Sequence, residues 1–166
     1  MSNAEKEFVV TIRNAELVDI PEVFQMLKEL TDSEKLPQNL IIDQVTFQKD
    51  YSEKAFNCLV AQTPNGSFVG YSVYCQTYST WEGRMLHLRD LYVRPQQRGS
   101  GVGKKLFTTT MEKGYELGCK VAFFFVMQWN PAVKFYKELG AVNLTENENY
   151  HIFKLKSDNF NKICSN

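Results

Sequence analysis

The sequence predicts an α+β domain organised around one mixed sheet, and three observations carry that prediction. Two apolar runs, 56–61 and 68–77, flank Pro64-Asn65-Gly66 and read as an antiparallel hairpin. Residues 88–107 pass from a strand through a glycine-rich turn into a helix. Val121-Ala-Phe-Phe-Phe-Val-Met127 is a continuous apolar run, suited to a strand buried on both faces. The resulting order is strand, helices, antiparallel strands, then strand–helix–strand–helix–strand.

Each element has a local reason. Phe8-Val-Val-Thr-Ile-Arg13 reads as the first strand. Asp19 is placed to start a helix, with Pro21 in its first turn and Glu22 three residues after the cap. Ile20, Val23, Phe24, Leu27 and Leu30 recur at helical spacing. Residues 31–52 are polar and irregular, with room for a short helix from Asp43 to Tyr51. Leu86 to Val93 forms the next strand, and Val102 to Leu117 a helix closed by Gly118. Ala132 to Leu139 is a short helix before Gly140, and Tyr150 to Leu155 a final strand.

Composition bounds the partners. At 166 residues the chain, 1–166, has the size of one domain. Apolar residues make up 43%, enough for a packed core. Nineteen Lys plus Arg balance 19 Asp plus Glu, so no net field points to nucleic acid or a membrane. Cys58, Cys75, Cys119 and Cys164 form no C-x-x-C pair and only two histidines accompany them, so a metal site is not expected. Free thiols suit a reducing compartment. The polar N-terminus carries no apolar signal region, and no apolar run approaches the ~20 residues of a membrane span. The expected location is cytoplasmic.

The glycine turn carries the chemistry. Gly99, Gly101 and Gly103 at alternate positions let backbone N–H groups approach a ligand. A helix starting there adds unpaired donors and the positive end of its dipole, which suits an anion. Arg94, Arg98, Lys104 and Lys105 surround the turn, and no acid lies between Leu91 and Met111. A Walker loop is excluded because Lys105 stands where Ser or Thr is needed and Arg98 where the first glycine belongs. A dinucleotide fingerprint fails on the G-x-G-x-G spacing and the missing downstream acid. A ligand-free strand-to-helix turn stays open as the plain alternative.

The surviving pattern, R-x-x-G-x-G over Arg98, Gly101 and Gly103, resembles the acetyl-CoA loop of the GNAT acetyltransferase superfamily. Gly70–Gly83, Leu88–Val93, Trp129-Asn130 and Phe135–Ala141 are similar to segments of the diamine (spermidine/spermine) N-acetyltransferases. The likeness runs from about Phe8 to Phe153. It implies a single GNAT-like domain, with a central mixed, mostly antiparallel sheet and helices on both faces. A bulge in the strand ending at Leu91, Tyr92 and Val93 would splay it from its neighbour, and pantetheine of acetyl-CoA would enter that gap. Backbone N–H groups of Gly99, Ser100, Gly101, Val102, Gly103 and Lys104, beside Arg98, would hold the pyrophosphate. The Val93 N–H would polarise the thioester carbonyl. Asn130 would contact the rest of the cosubstrate, and Tyr136 would protonate the departing thiolate. A small amine would attack directly in a ternary complex, without a metal, in a homodimer.

An amine arrives protonated, so carboxylates should line its pocket. Glu34 and Asp90 match acidic positions of the family's substrate site, Glu34 with a catalytic role, and Trp81 would wall it. Two acids of the family are absent, with Arg89 and Ser79 in their places, and the segment between Asn130 and Tyr136 is one residue short. A smaller amine, or an amino acid whose carboxylate pairs with Arg89, then fits better than a long polycation. Plainer readings stay open: Tyr136 and Trp81 as packing aromatics, Glu34 as a solvated loop residue, Arg89 turned outward, His87 as structural. Protein N-terminal or lysine acetylation, and a CoA-binding module without catalysis, are the alternative functions.

Overall fold

Short turns between the three middle strands build the centre of the sheet, and longer helical connections bring in its two edge strands. In the computed structural model, which describes residues 8–149, 151–156, 159 and 163, β1 (Thr11–Asn14), β2 (Asn57–Gln62), β3 (Phe68–Ser79) and β4 (Gly83–Val93) pair antiparallel in chain order. The fifth strand, β5 (Val121–Phe123), joins β4 in parallel. Helices α1 (Ile20–Ser33) and α2 (Gln44–Ser52) cover one face, and α3 (Val102–Glu116) the other. The sheet is mixed, mostly antiparallel and covered on both faces. Two compact units result, Met1–Phe125 and Val126–Asn166. The second holds α4 (Ala132–Glu138) and α5 (Leu144–Glu148), the latter not anticipated.

Strand alternation explains the two cores. Val60, Tyr71, Val73 and Tyr92 pack with Ile20, Val23, Phe24 and Phe47 from α1 and α2. Leu59, Tyr74, Leu86 and Leu88 point the opposite way, against Val102 and Leu106 of α3. A buried hydroxyl pair, Ser72 Oγ and Thr110 Oγ1 at 2.8 Å, joins β3 to α3. Each hydroxyl satisfies the other, so the polar pair is not penalised in the apolar layer.

Several expectations need correction. Asp19 precedes α1 but makes no side-chain cap to it. Its carboxylate accepts from the Glu16 N–H at 2.7 Å and from Arg13 Nη1 at 2.6 Å, closing the preceding 3₁₀ turn instead. Glu22 is not the capping-box partner, because its carboxylate accepts from Arg94 at 2.7 Å. The apolar run 121–127 gives only a three-residue strand. Beyond Phe123 it has no strand partner among the described residues, and Phe125 and Met127 are exposed rather than buried. Of the expected final strand, Tyr150 lies outside the described residues, and His151 to Leu155 form no ladder and are exposed. With no neighbouring strand among the described residues to accept its backbone, apolar composition alone does not make it β structure.

Candidate active site

One irregularity in β4 organises this region. Val73 faces Asp90 and Tyr74 faces Leu88, so Arg89 is an extra residue in the ladder. A one-residue insertion flips every following side chain to the other face. Leu86 and Leu88 point to α3, whereas Tyr92 packs under α1. Without the bulge, alternation would send Asp90 into the α3 core as well. On its other edge β4 pairs with β5 only from Met85 to His87. From Leu88 to Val93 that edge meets no described strand. The free edge of β4 expected beside the gap is present, although β5 ends at Phe123 instead of diverging from it.

The backbone of this free edge carries donors. Arg94 N–H donates to the Val69 carbonyl at 2.9 Å. By antiparallel alternation the N–H groups of Leu91 and Val93 therefore point away from β3, toward the gap. Arg98 Nε donates to the Val93 carbonyl at 2.9 Å, and its guanidinium lies 5.6 Å from the centre of the Tyr92 ring. Arg98 thus fastens the loop to the strand end.

The turn that follows is shaped as an anion cradle. Gly99 at φ +79° and Gly101 at φ +85° adopt left-handed backbone that a side chain would strain. Val102, buried in the α3 core, anchors the helix start. Among the described residues no hydrogen bond uses the N–H groups of residues 99–104. Six consecutive donors beside Arg98 and Lys104 fit a pyrophosphate, whose oxygens are strong acceptors. Arg94 is not part of this cradle. Its guanidinium is held by Glu22, Glu29 and the Phe68 carbonyl, and the Tyr92 hydroxyl donates to the same Glu29. The cluster clamps α1 to the end of β4.

The bulge also gathers polar side chains on the α1 face. His87 pairs with Cys75 across the strands, and Arg89 Nη1 lies 3.3 Å from His87 Nε2. Arg89 therefore lies on the same face as His87 and Asp90. Burial pushes the Asp90 carboxyl up to about 6, against the opposing pull of Arg89 and with help from the Glu34 charge. Glu34, at the C-terminal end of α1, is half-buried, and burial raises its carboxyl. Burial, then the Arg89 charge, lowers the His87 imidazole. Rings of Phe123 and Phe125, centred 4.5 and 5.6 Å away, wall that imidazole. Tyr71 was missed in the sequence. Its hydroxyl is fully buried without a hydrogen-bond partner, a state that costs on the order of 1–3 kcal/mol.

Not every expected residue joins this group. Trp81 sits in the β3–β4 turn, 86% exposed, where its backbone N–H donates to Ser79 Oγ. Nine positions along the chain separate it from Asp90, seven of them along β4 at roughly 3.3 Å each, so within one chain it walls nothing there. In the second unit, Asn130 Oδ1 accepts from the Ala132 N–H at 2.9 Å and shapes the start of α4. Tyr136 is buried on α4, and burial pushes its phenol up to about 12. It holds its proton at neutral pH, as a proton donor must. Among the described residues no cluster of His, Cys, Asp and Glu could hold a metal. No described helix is long and apolar enough to cross a membrane.

The profile of the Acetyltransferase (GNAT) family matches residues 21–141. A thialysine N-epsilon-acetyltransferase of Sus scrofa is 37% identical over 165 residues, covering 93% of this chain and 97% of that protein. A spermidine/spermine N(1)-acetyltransferase-like protein 1 of Homo sapiens is 30% identical over 89% of this chain and 22% of its own length. An aminoglycoside acetyltransferase from a soil metagenome shares the fold, with a TM-score of 0.73 over 92% of this chain and 99% of its own at 22% identity. A profile match across a sheet that parts beside a glycine cradle makes this chain a member of the GNAT acetyltransferase family, an acyltransferase whose cosubstrate is acetyl-CoA.

Proposed function

We propose that the protein transfers the acetyl group of acetyl-CoA to the primary amine of a small, lysine-like substrate that also bears a carboxylate. The observation that carries this reading is Arg89, which the bulge sets on the same face as Asp90. A cation beside acids favours a substrate carrying both charges and disfavours a second ammonium. Relatives that act on thialysine support the same class.

Bound acetyl-CoA would supply the acetyl group and a thiolate leaving group. The N–H groups of Gly99 to Lys104, with Arg98 beside them, would hold the pyrophosphate. The edge of Leu91, Tyr92 and Val93 would align the pantetheine, with the Val93 N–H aimed at the thioester oxygen. Asn130 would contact the rest of the cosubstrate. Glu34 and Asp90 would hold the ammonium, Arg89 the carboxylate, and Tyr136 would protonate the departing sulfur. Attack would be direct, in a ternary complex, with no acyl-enzyme.

Two broader features belong to the same proposal. Free thiols at Cys58, Cys75 and Cys119 suit a cytoplasmic protein. The resemblance supports a single domain and a homodimer, which would sediment at twice the chain mass.

The test is acetyl-CoA-dependent release of free thiol with lysine, thialysine, 1,4-diaminobutane, spermidine and a lysine-bearing peptide. Lysine and thialysine should have the highest kcat/KM. A preference for spermidine would overturn the carboxylate argument, and a preference for the peptide would indicate a protein acetyltransferase. Acetyl-CoA binding with no amine-dependent release would indicate a binding module.

A further inference from the structure

An ammonium must lose a proton before its nitrogen can attack, and the α1 face offers few acceptors. Arg89 cannot accept one, and the His87 imidazole already faces an Arg89 N–H. Glu34 lies off the strand, at the C-terminal end of α1. Asp90 is carried by the bulge to the point where β4 leaves β5. The strand register supplies its companion. Tyr71 pairs with Tyr92 and Val73 pairs with Asp90, so Tyr71 and Asp90 are diagonal neighbours on one face. Such neighbours lie within reach of an aromatic side chain. Tyr71 Oη is also the one buried side-chain N or O atom among the described residues without a hydrogen-bond partner.

We propose that Asp90 accepts the proton of the incoming ammonium and that Tyr71 is its positioning residue, the free hydroxyl turning to the carboxylate whenever that group is charged. This deepens the amine-acetylating reading above and rests on it. The ammonium N–H bond breaks and its proton goes to an Asp90 carboxylate oxygen. The freed nitrogen lone pair forms the C–N bond to the thioester carbon as the C–S bond breaks. The second nitrogen proton replaces the one that Tyr136 gives to sulfur. Asp90 then returns its proton to solvent, so amine and acetyl-CoA become amide, thiol and one released proton.

The burial of Asp90 keeps its carboxyl near 6, where it exchanges protons close to neutral pH. The groups that share its field are Arg89, Glu34, Tyr71, Cys58 and Cys75. A hydroxyl donating to the charged carboxylate lowers its pKa. Removing that hydroxyl should therefore raise it and move the acidic limb of kcat/KM to higher pH.

Tyr71→Phe removes a hydroxyl whose proposed partner is the charged Asp90 carboxylate, so Tm at pH 5, where that carboxyl is mostly protonated, should not fall. For lysine at pH 7, kcat/KM should drop tenfold or more, recover partly at higher pH, and leave acetyl-CoA affinity unchanged. Asp90→Asn should abolish the acidic limb together with most turnover, whereas Glu34→Gln should chiefly raise the amine KM. A Tyr71→Phe enzyme with kcat/KM within twofold of wild type and an unmoved limb overturns the proposal. A ¹³C NMR titration of the Asp90 carboxyl needs no turnover, and its midpoint should rise in Tyr71→Phe. An unmoved midpoint in an enzyme that acetylates lysine sinks the pairing and leaves the functional reading intact. A moved midpoint in a protein that acetylates no amine sinks the functional reading, and the acceptor role with it.

Discussion

Arg89 shows how much one residue decides here. It is the inserted residue of the ladder, its guanidinium lies against His87, and its charge acts on Asp90. Arg89→Glu should move preference from lysine toward spermidine, because a second substrate ammonium would meet attraction in place of repulsion. A close ion pair at an effective dielectric near 20 is worth up to about 4 kcal/mol before desolvation. A tenfold change in the spermidine-to-lysine kcat/KM ratio, about 1.4 kcal/mol, is thus a modest demand. An unchanged ratio in an active enzyme would mean that Arg89 does not meet the substrate. Tyr136 makes a separate claim. Its phenol is held neutral by burial, so Tyr136→Phe should lower kcat by about 10²–10⁴ with little effect on acetyl-CoA binding. A loss under about threefold, measured at saturating substrates, would make Tyr136 a packing aromatic.

At the scale of elements, the glycine turn, the free edge of β4 and the start of α3 act together. A side chain at residue 101 would strain the backbone at φ +85° and, on the proposed reading, intrude where the pyrophosphate oxygens would approach. Gly101→Val should therefore reduce acetyl-CoA affinity by at least tenfold in calorimetric titration while circular dichroism stays native. Retained affinity would remove the loop from the cosubstrate site. Gly70 makes a different demand, because a Cβ there would lie 2.6 Å from the Tyr92 carbonyl oxygen. Gly70→Ala must push β4 outward at the residues that present the Val93 N–H. A loss of about 1–3 kcal/mol in urea unfolding, typical of overpacking, is expected together with lower turnover. The glycine turn, the hairpin and both long helices were legible because glycine spacing and helical periodicity are local signals. The bulge was not readable from residues 88–93 themselves, since Leu-Arg-Asp-Leu-Tyr-Val alternates equally well with or without an insertion. Tyr71 was hidden for the same reason: as a strand aromatic among apolar neighbours, it differs from its companions only in a hydroxyl left without a partner. The short β5 was misread because apolar composition alone does not tell whether a neighbouring strand is there to pair with the run or a helix to cover it.

For the whole molecule, the acid on the α1 face sets a tension between stability and activity. A carboxyl near 6 in the folded chain and about 3.9 in the unfolded one binds protons more tightly when folded. The stability it contributes is fully present below pH 4 and is lost as pH rises through 6. Asp19 works in the opposite sense. Arg13 holds its carboxyl below the ordinary value, so its contribution is present above pH 4 and is lost as pH falls. The two effects occupy different windows, and between pH 4 and 6 the loss at Asp90 prevails. Asp90→Asn removes that loss without emptying the site. The variant should match wild type within about 1 kcal/mol near pH 4.5 and exceed it by up to about 3 kcal/mol at pH 7.5, from two units at 1.36 kcal/mol each. Urea unfolding of both proteins at the two pH values measures the difference, and a gap independent of pH would mean that Asp90 is charged and solvated in the fold. An enzyme that becomes more stable as it loses turnover would show that the chain retains this partly buried acid for chemistry rather than for folding.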